Sequence, residues 1–157
     1  MKQNTKMRYS LVFTIVILFL SACNKDKFTT APQIEFKSIS PNVVDNTSAS
    51  PILTIHITDA EGDLGINAKD TAFVYMKNLL TNTFDSLPFP DLQAVAKSNF
   101  KADVDIDINK VLKCKTRPGN PPPLHTDTLY FQIYVKDFAK NKSNVIITND
   151  PVYFICR

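Results

Sequence analysis

From residue 33 to the end of the chain, apolar and polar side chains alternate in short runs. This period of two is typical of β-strands with one buried face, because successive side chains of a strand point to opposite sides of the sheet. The clearest run is 103–108, in which Val104, Ile106 and Ile108 alternate with three aspartates. The pattern predicts seven strands, at 33–39, 52–58, 72–78, 80–86, 102–109, 128–136 and 144–156.

Turn-forming residues separate these runs. The segment 91–100 predicts one or two helical turns as a connection, whereas 115–126 contains four prolines and predicts an irregular loop, because proline fixes φ and lacks a donor. The sequence 149–151, Asn-Asp-Pro, interrupts the last run and predicts a bulge. Seven short strands with turns between them predict an all-β fold, a single immunoglobulin-like antiparallel β-sandwich over 33–157.

The first 22 residues follow a different pattern. Lys2, Lys6 and Arg8 precede an apolar run at 11–20, which is shorter than the roughly 20 residues that span a bilayer. A basic start, a short apolar core and small residues before the cut are typical of a signal peptide. We therefore predict a signal peptide at 1–22 and a polar tether at 23–32; an uncleaved anchor and a buried helix are the alternatives.

The end of this segment, Leu20-Ser21-Ala22-Cys23, resembles the lipobox of bacterial lipoprotein signal peptides. In such proteins cleavage precedes the cysteine, which is acylated, with palmitate for example, and becomes the mature N-terminus. The resemblance implies a lipoprotein whose Cys23 carries the lipid anchor, so the membrane is a predicted partner. The predicted localisation is the cell envelope, at the outer membrane.

Charge and cysteine content change once this segment is removed. The net charge of +3 comes from its three basic residues, and the remaining chain balances 15 basic against 15 acidic side chains. Nucleic-acid binding needs a concentrated basic surface, so no nucleic-acid partner is expected. With Cys23 assigned to lipid, Cys114 and Cys156 remain. In an exported protein they are consistent with a disulfide at one pole of the sandwich, and also with two buried thiols.

Two loops concentrate oxygen-bearing side chains, and in an immunoglobulin-like topology they meet at the same pole. The first acidic loop (59–67) places three carboxylates at every second position, and the second acidic loop (137–144) adds an aspartate and an asparagine. Such oxygens can surround Ca²⁺, which takes six to eight of them. The alternative is an ordinary turn, where Asp, Asn and Gly are common. The candidate ligands are Asp59, Glu61, Asp63, Asp137 and Asn141.

The same loops resemble those of small envelope lipoproteins of Bacteroidetes-type bacteria, and of cadherin-like and other bacterial immunoglobulin-like surface domains. The lipoproteins have an early Asp-x-(Asp/Glu)-Gly-Asp-(Leu/Ile)-Gly loop, here Asp59–Gly65, and a late Asp-x-Ala-x-Asn-x-Ser-Asn hairpin, here Asp137–Asn144. The chain departs from them at Lys140, where glycine is usual. The resemblance implies an immunoglobulin- or cadherin-like β-sandwich without an established reaction.

Catalytic motifs are missing from the sequence. With three glycines, it contains no Gly-x-Ser-x-Gly, phosphate loop or dinucleotide fingerprint. We expect no catalytic residues, no enzyme and no cofactor beyond a possible Ca²⁺. The leading hypothesis is a lipid-anchored envelope module that binds a protein or glycan partner or supports an assembly. The alternative is a carbohydrate- or peptide-binding accessory lipoprotein, with Tyr130, Tyr134 and Tyr153 as an aromatic platform. A metal-dependent envelope enzyme ranks third.

Overall fold

The computed structural model describes residues 28–47, 49–66, 69–92 and 98–156. The predicted signal peptide and Cys23 lie outside these residues, and the predicted tether is described only from Phe28 onward. The helical turns expected over 91–100 fall mainly on 93–97, which are also outside the description. No helix in the described part of the chain has the length and apolar character needed to cross a membrane.

Strands dominate the described residues, as alternation predicts, and the expected all-β fold is confirmed. A single turn of 3-10 helix, Asn109–Val111, is the only helix among them. The strands are β1 Gln33–Ser40, β2 Val43–Asp45, β3 Ile52–Asp59, β4 Phe73–Asn78, β5 Phe84–Pro88, β6 Phe100–Asp107, β7 His125–Leu129, β8 Phe131–Lys136, β9 Ile146–Ile147 and β10 Val152–Cys156.

Three predicted strands differ from the observed ones, and β2 has no predicted counterpart. The strand predicted at 144–156 is divided into β9 and β10, which residues 148–151 separate. The strand predicted at 80–86 begins at Phe84, because Asn78 caps a turn by accepting hydrogen bonds from the backbone N–H groups of Leu80 and Thr81. The predicted strand 128–136 begins earlier and is interrupted at Tyr130. The carbonyl oxygen of Tyr130 accepts the N–H of Leu79, so the break joins this strand to the same turn.

The strands form two packed layers. One layer is the antiparallel sheet β1–β3–β6; the other contains the sheets β5–β4–β8–β9 and β2–β10–β7. These last two are continuous along the chain, because only Tyr130 separates β7 from β8 and only 148–151 separate β9 from β10. One hydrophobic cluster draws on all three sheets, including Ile55, Val74 and Phe154. The chain is therefore a β-sandwich, and its immunoglobulin-like classification stays a prediction.

Strand register brings both acidic loops to one end of the sandwich. Asp59, the last residue of β3, pairs with Phe100 at the start of β6. In the other layer, Phe73 at the start of β4 pairs with Lys136 at the end of β8. We call this end, defined by Asp59, Asp63 and Asp137, the acidic pole.

The opposite end carries both remaining cysteines. Cys156, at the end of β10, pairs with His125 at the start of β7. Cys114 follows β6 and is joined to Cys156 by a disulfide. We call this end, defined by Cys114, Asp127 and Cys156, the disulfide pole.

A side chain of the second acidic loop links the two layers. Asn144 accepts the N–H of Ile34 at 2.7 Å and donates its amide to the carbonyl oxygen of Ile34 at 2.9 Å. The loop is therefore tied to β1, in the sheet opposite its own strand.

Candidate functional site

Three carboxylates converge at the acidic pole. Asp59 ends β3 and Asp137 directly follows β8, and both side chains belong to residues that are 0% exposed. Asp63 lies in the first acidic loop, which follows β3, and is half-buried. One carboxylate oxygen from each of the three lies within 4.8 Å of the others. The ends of two strands from different layers thus place three negative groups around one point.

Backbone hydrogen bonds hold these carboxylates in place. The N–H of Asp63 donates to Oδ2 of Asp59 at 3.2 Å, and the N–H of Ala139 donates to Oδ2 of Asp63 at 3.1 Å. The N–H of Phe138 donates to the carbonyl oxygen of Asp63 at 3.0 Å. Asp63 therefore joins the two acidic loops through both its side chain and its backbone.

Asn141 fixes the third carboxylate. Its backbone N–H donates to Oδ1 of Asp137 at 2.7 Å, and its side-chain amide donates to Oδ2 at 2.9 Å. The turn is closed further by the N–H of Lys140, which donates to the carbonyl oxygen of Asp137. Lys140 has a φ of 70°, a left-handed conformation that favours glycine.

Two carboxylate oxygens at this pole are buried without a hydrogen-bond partner, Oδ1 of Asp59 and Oδ1 of Asp63. A buried polar atom that is left unsatisfied costs about 1–3 kcal/mol, and more when it is charged. Native proteins pair nearly all such atoms with protein, water or ions. The unpaired oxygens are therefore the feature of this pole that calls for a ligand or a proton.

The raised pKa values of two of these carboxyl groups also indicate that the cluster needs a proton or a cation. Burial, and after it the neighbouring charge of Asp63, raise the pKa of Asp59 from 3.8 to about 7. Burial also raises the pKa of Asp137, against the opposing effect of its hydrogen bonds from Asn141. The nearby charges of Asp63 and Glu61 add to the increase at Asp137. The cluster is thus unfavourable in its fully ionised form unless a positive charge joins it.

The structure brings together three of the five candidate ligands. Glu61 is exposed and stands outside the cluster, since the chain turns at Gly62, whose φ is 67°. Asn141 lies beside Asp137, but it contacts that carboxylate through its amide nitrogen, which is not a cation ligand. Asn141 is therefore a positioning residue in this arrangement.

The disulfide pole also contains a buried carboxylate, which was not among the predicted site residues. Asp127 is 3% exposed, and its Oδ2 lies 3.6 Å from Sγ of Cys156. The same oxygen accepts the N–H of Lys115 at 2.7 Å, while its Oδ1 lies 3.4 Å from Nη2 of Arg117. Nε2 of His125 is 3.5 Å from Oδ2. The alternation of the sequence contained a signal for this burial. Asp127 lies two residues before Leu129, so in a strand both side chains point to the same, buried face.

A third feature lies on the outer face of the sheet β5–β4–β8–β9. Tyr75 and Tyr134 are paired across β4 and β8, and their rings stack at 4.8 Å with an interplanar angle of 8°. Phe84 of β5 stacks on Tyr75 at 6.0 Å, and Nζ of Lys142 lies 4.2 Å from the ring centre of Tyr134. We call these four side chains, in the order Phe84, Tyr75, Tyr134 and Lys142, the aromatic row.

The aromatic row differs from the platform that the sequence suggested. Tyr134 belongs to it, but Tyr130 lies between β7 and β8, and Tyr153 lies on β10 in the adjoining sheet. Tyr75 and Phe84 were not proposed, because their meeting depends on strand register. No protein-family model, curated protein or solved structure matches this chain.

Proposed function

We propose that this protein is a lipid-anchored, non-enzymatic module of the cell envelope that binds a protein partner through the aromatic row. The anchor rests on the signal-peptide pattern and the lipobox resemblance at Cys23. The observation that carries the binding role is the row itself, which places three aromatic rings on the outer face of a sheet.

The position of the row supports a binding surface. Val74, Ile133 and Val135 fill the inner face of the same strands, so the outer face would ordinarily carry polar residues. Phe84 is instead 54% exposed at the end of the row. Clustered aromatic side chains on a surface are typical of interaction sites, where they contribute a large contact area with few rotatable bonds.

The packing of the rings favours a protein over a sugar. Tyr75 is stacked between Phe84 and Tyr134, and Tyr134 lies between Tyr75 on the β4 side and Lys142 on the β9 side. A sugar ring stacks on a free aromatic face, and these tyrosine faces already have partners. Ring edges and the outward side of Phe84 suit the apolar side chains of a protein partner.

The titratable clusters of the described residues also support a binding role. At the disulfide pole the sulfur of Cys114 is bonded to Cys156, so it is not a free nucleophile. At the acidic pole three carboxylates face one another, and each is held by a backbone N–H of one of the two acidic loops. These groups suit structural tasks better than a reaction.

The proposal is tested by photo-crosslinking in cells that express the full-length protein. A photoreactive residue in place of Phe84 should give discrete adducts with a protein partner, and these should be lost when Tyr75→Ala is added. The matched control is the same residue in place of Asp105, which is exposed on the sheet of the other layer. Equal adducts from both positions, or none from Phe84, would refute the row as the interface. Adducts that glycosidase removes and protease does not would favour the carbohydrate alternative.

A second arm tests the anchor. Cys23→Ala should abolish incorporation of labelled palmitate and move the protein out of the membrane fraction. Ser21→Ala, which keeps a small residue before the cysteine, should change neither property. Retention of the label on Cys23→Ala would remove the lipid anchor from the proposal.

A further inference from the structure

We propose that Asp59, Asp63 and Asp137 bind one Ca²⁺ ion at the acidic pole, and that the ion fastens the two acidic loops to the segment that leads in from Cys23. This inference goes beyond the proposed function and does not depend on the aromatic row. It rests on the convergence of three carboxylates and on two buried oxygens that lack a partner.

The spacing of the carboxylates fits a single ion. Ca²⁺ binds oxygen at about 2.3–2.6 Å, so two oxygens on one ion are at most about 5 Å apart. The oxygens of the three residues lie within 4.8 Å of one another. No side chain has to move from one loop to the other for all three to reach the same ion.

The unpaired oxygens identify where the ion would bind. In Asp59 and Asp63, Oδ2 is already occupied by a backbone N–H, and Oδ1 is the atom left without a partner. Hydrogen bonds thus orient each carboxylate and leave one oxygen of each available. An ordinary turn would satisfy its carboxylates with backbone donors or solvent, which is not the case for these two buried atoms.

The donor set selects the class of ion. Three carboxylates and no nitrogen or sulfur ligand match a hard cation, whereas Zn²⁺ prefers histidine and cysteine. Mg²⁺ binds at about 2.0–2.1 Å and keeps several of its waters. Asp59 and Asp137 are fully buried, so a site that supplies protein oxygens from two strand ends suits the less strongly hydrated Ca²⁺.

The ion would act on Thr29–Thr30, near the end of the predicted tether, which we call the entry segment. Ala60, next to Asp59, donates its N–H to the carbonyl oxygen of Thr29 at 3.1 Å. Asn141, which holds Asp137, donates its side-chain amide to the carbonyl oxygen of Thr30 at 3.4 Å. An ion that fixes the carboxylates therefore also fixes the N–H of Ala60 and the side-chain amide of Asn141, which hold the entry segment against the domain.

The test measures unfolding and binding on the full-length protein in detergent, first in EDTA and then in Ca²⁺. Extracellular Ca²⁺ modules have Kd values of about 10⁻⁴–10⁻³ M, so about 10 mM Ca²⁺ should raise the unfolding midpoint by about 5–10 °C. Titration calorimetry should give one Ca²⁺ per chain. Mg²⁺ at the same concentration should give a much smaller shift.

Two variants and a control distinguish Ca²⁺ binding at the three carboxylates from a nonspecific effect of the ion on surface charges. Asp63→Asn and Asp137→Asn should each weaken Ca²⁺ binding at least tenfold, while Asp105→Asn, on the outer face of β6, should keep the wild-type shift. Equal shifts in Asp105→Asn and Asp63→Asn, or equal shifts with Mg²⁺, would overturn the site. So would a wild-type chain that shows neither a shift nor calorimetric binding, since a proton would then be what relieves the cluster.

Hydrogen exchange on the wild type tests the fastening without any variant. Ca²⁺ should slow exchange at the N–H groups of Ala60 and Ala139 at least several-fold, because both donate within this pole. The N–H of Lys115, which donates to Asp127 at the opposite pole, should be unaffected. Uniform slowing at both poles, or none at Ala60, would contradict the proposed link to the entry segment.

Discussion

The two poles of the sandwich both bury carboxylates, but they balance the negative charge differently. At the disulfide pole, Asp127 is surrounded by the guanidinium of Arg117, the imidazole of His125 and the N–H of Lys115. At the acidic pole, the closest charges to Asp59 are the carboxylates of Asp63 and Asp137. At the disulfide pole, a positive group of the protein itself lies beside the buried carboxylate. The carboxylates of the acidic pole need a proton or a cation from solution.

The stability of the two ends therefore depends on different conditions. The disulfide pole is closed by a covalent bond, and its buried carboxylate faces the guanidinium of Arg117, which keeps its charge over a wide range of pH. The acidic pole adds or loses stability with the pH and the cation content of the solution, because its carboxylates repel one another when all are ionised. Four measurements test whether the two poles differ in this way.

The largest effect is expected at the disulfide. Replacing both Cys114 and Cys156 by serine should lower the free energy of unfolding by about 3–4 kcal/mol, because the bond closes a loop of 42 residues and restricts the unfolded chain. Urea unfolding of the full-length protein measures the loss. The Ca²⁺-dependent shift should survive in this variant. If it disappears, the two poles do not act independently.

A pH series isolates the acidic pole. In EDTA the free energy of unfolding should fall by about 2 kcal/mol as the pH rises from about 4 to about 7. The reason is that folding raises the pKa of Asp59 from 3.8 to about 7, through burial and then Asp63 and Asp137. The folded chain therefore holds a proton that the unfolded chain releases near pH 4, and this advantage is lost as the folded group ionises. Urea unfolding at four pH values measures the slope.

The matched control for that series is Asp59→Asn, which removes the titrating group. Its profile between pH 4 and pH 7 should be flatter than that of the wild type, and saturating Ca²⁺ should flatten the wild-type profile in the same way. A variant that keeps the full slope would assign the effect to other carboxylates.

The same substitution at the two poles should have opposite signs. At pH 8 in EDTA, Asp127→Asn should lower the free energy of unfolding by about 1–2 kcal/mol, because the guanidinium of Arg117 loses its buried ionic partner. Asp59→Asn should raise it by about 1–2 kcal/mol, because a buried charge among like charges is removed. In Ca²⁺ the Asp59→Asn variant should become the less stable chain. If both substitutions lowered the free energy of unfolding in EDTA, the two poles would not differ in how they balance charge.

The smallest effect concerns backbone strain. The loop of the disulfide pole meets its positive φ of 142° with Gly119, whereas the second acidic loop places Lys140 at a φ of 70°. Lys140→Gly should stabilise the protein by about 0.5–1 kcal/mol, because a side chain in this region costs about 1–2 kcal/mol.

Its counterpart is Gly119→Ala, which should destabilise by about 1 kcal/mol, since the added Cβ would lie 3.1 Å from the carbonyl oxygen of Pro121. Lys140→Ala serves as the control for charge and should leave stability within about 0.5 kcal/mol. Equal effects of Gly and Ala at position 140 would assign the change to the lysine side chain and not to the backbone.

Alternation along the chain predicted the strands whose one face is buried. β3 and β6 start and end within two residues of the expected bounds, because each repeats several apolar residues at a period of two. β2 escaped notice, since its three residues contain no such repeat and pair in parallel with β10, which is remote in sequence. Long strands were predicted as unbroken because interruptions such as Tyr130 depend on hydrogen bonds to other loops.

The sequence predicted that the two acidic loops meet at one pole, but it did not predict which of their side chains lie close together. Asp59 and Asp137 could be placed together because both stand at strand ends, and strand ends meet at a pole. The exposure of Glu61 could not be foreseen, because it depends on the turn at Gly62. Tyr75 was missed because a pair across two strands is visible only once the register is known.

Asn144 has a consequence for a protein held at a surface. β1 is an edge strand, and an edge offers free backbone groups to which another chain can add. By occupying both the N–H and the carbonyl of Ile34, Asn144 closes part of that edge. With the lipid anchor that we propose, molecules would meet side by side at high local density. A single amide side chain would then reduce the risk that neighbouring copies join their sheets into an aggregate.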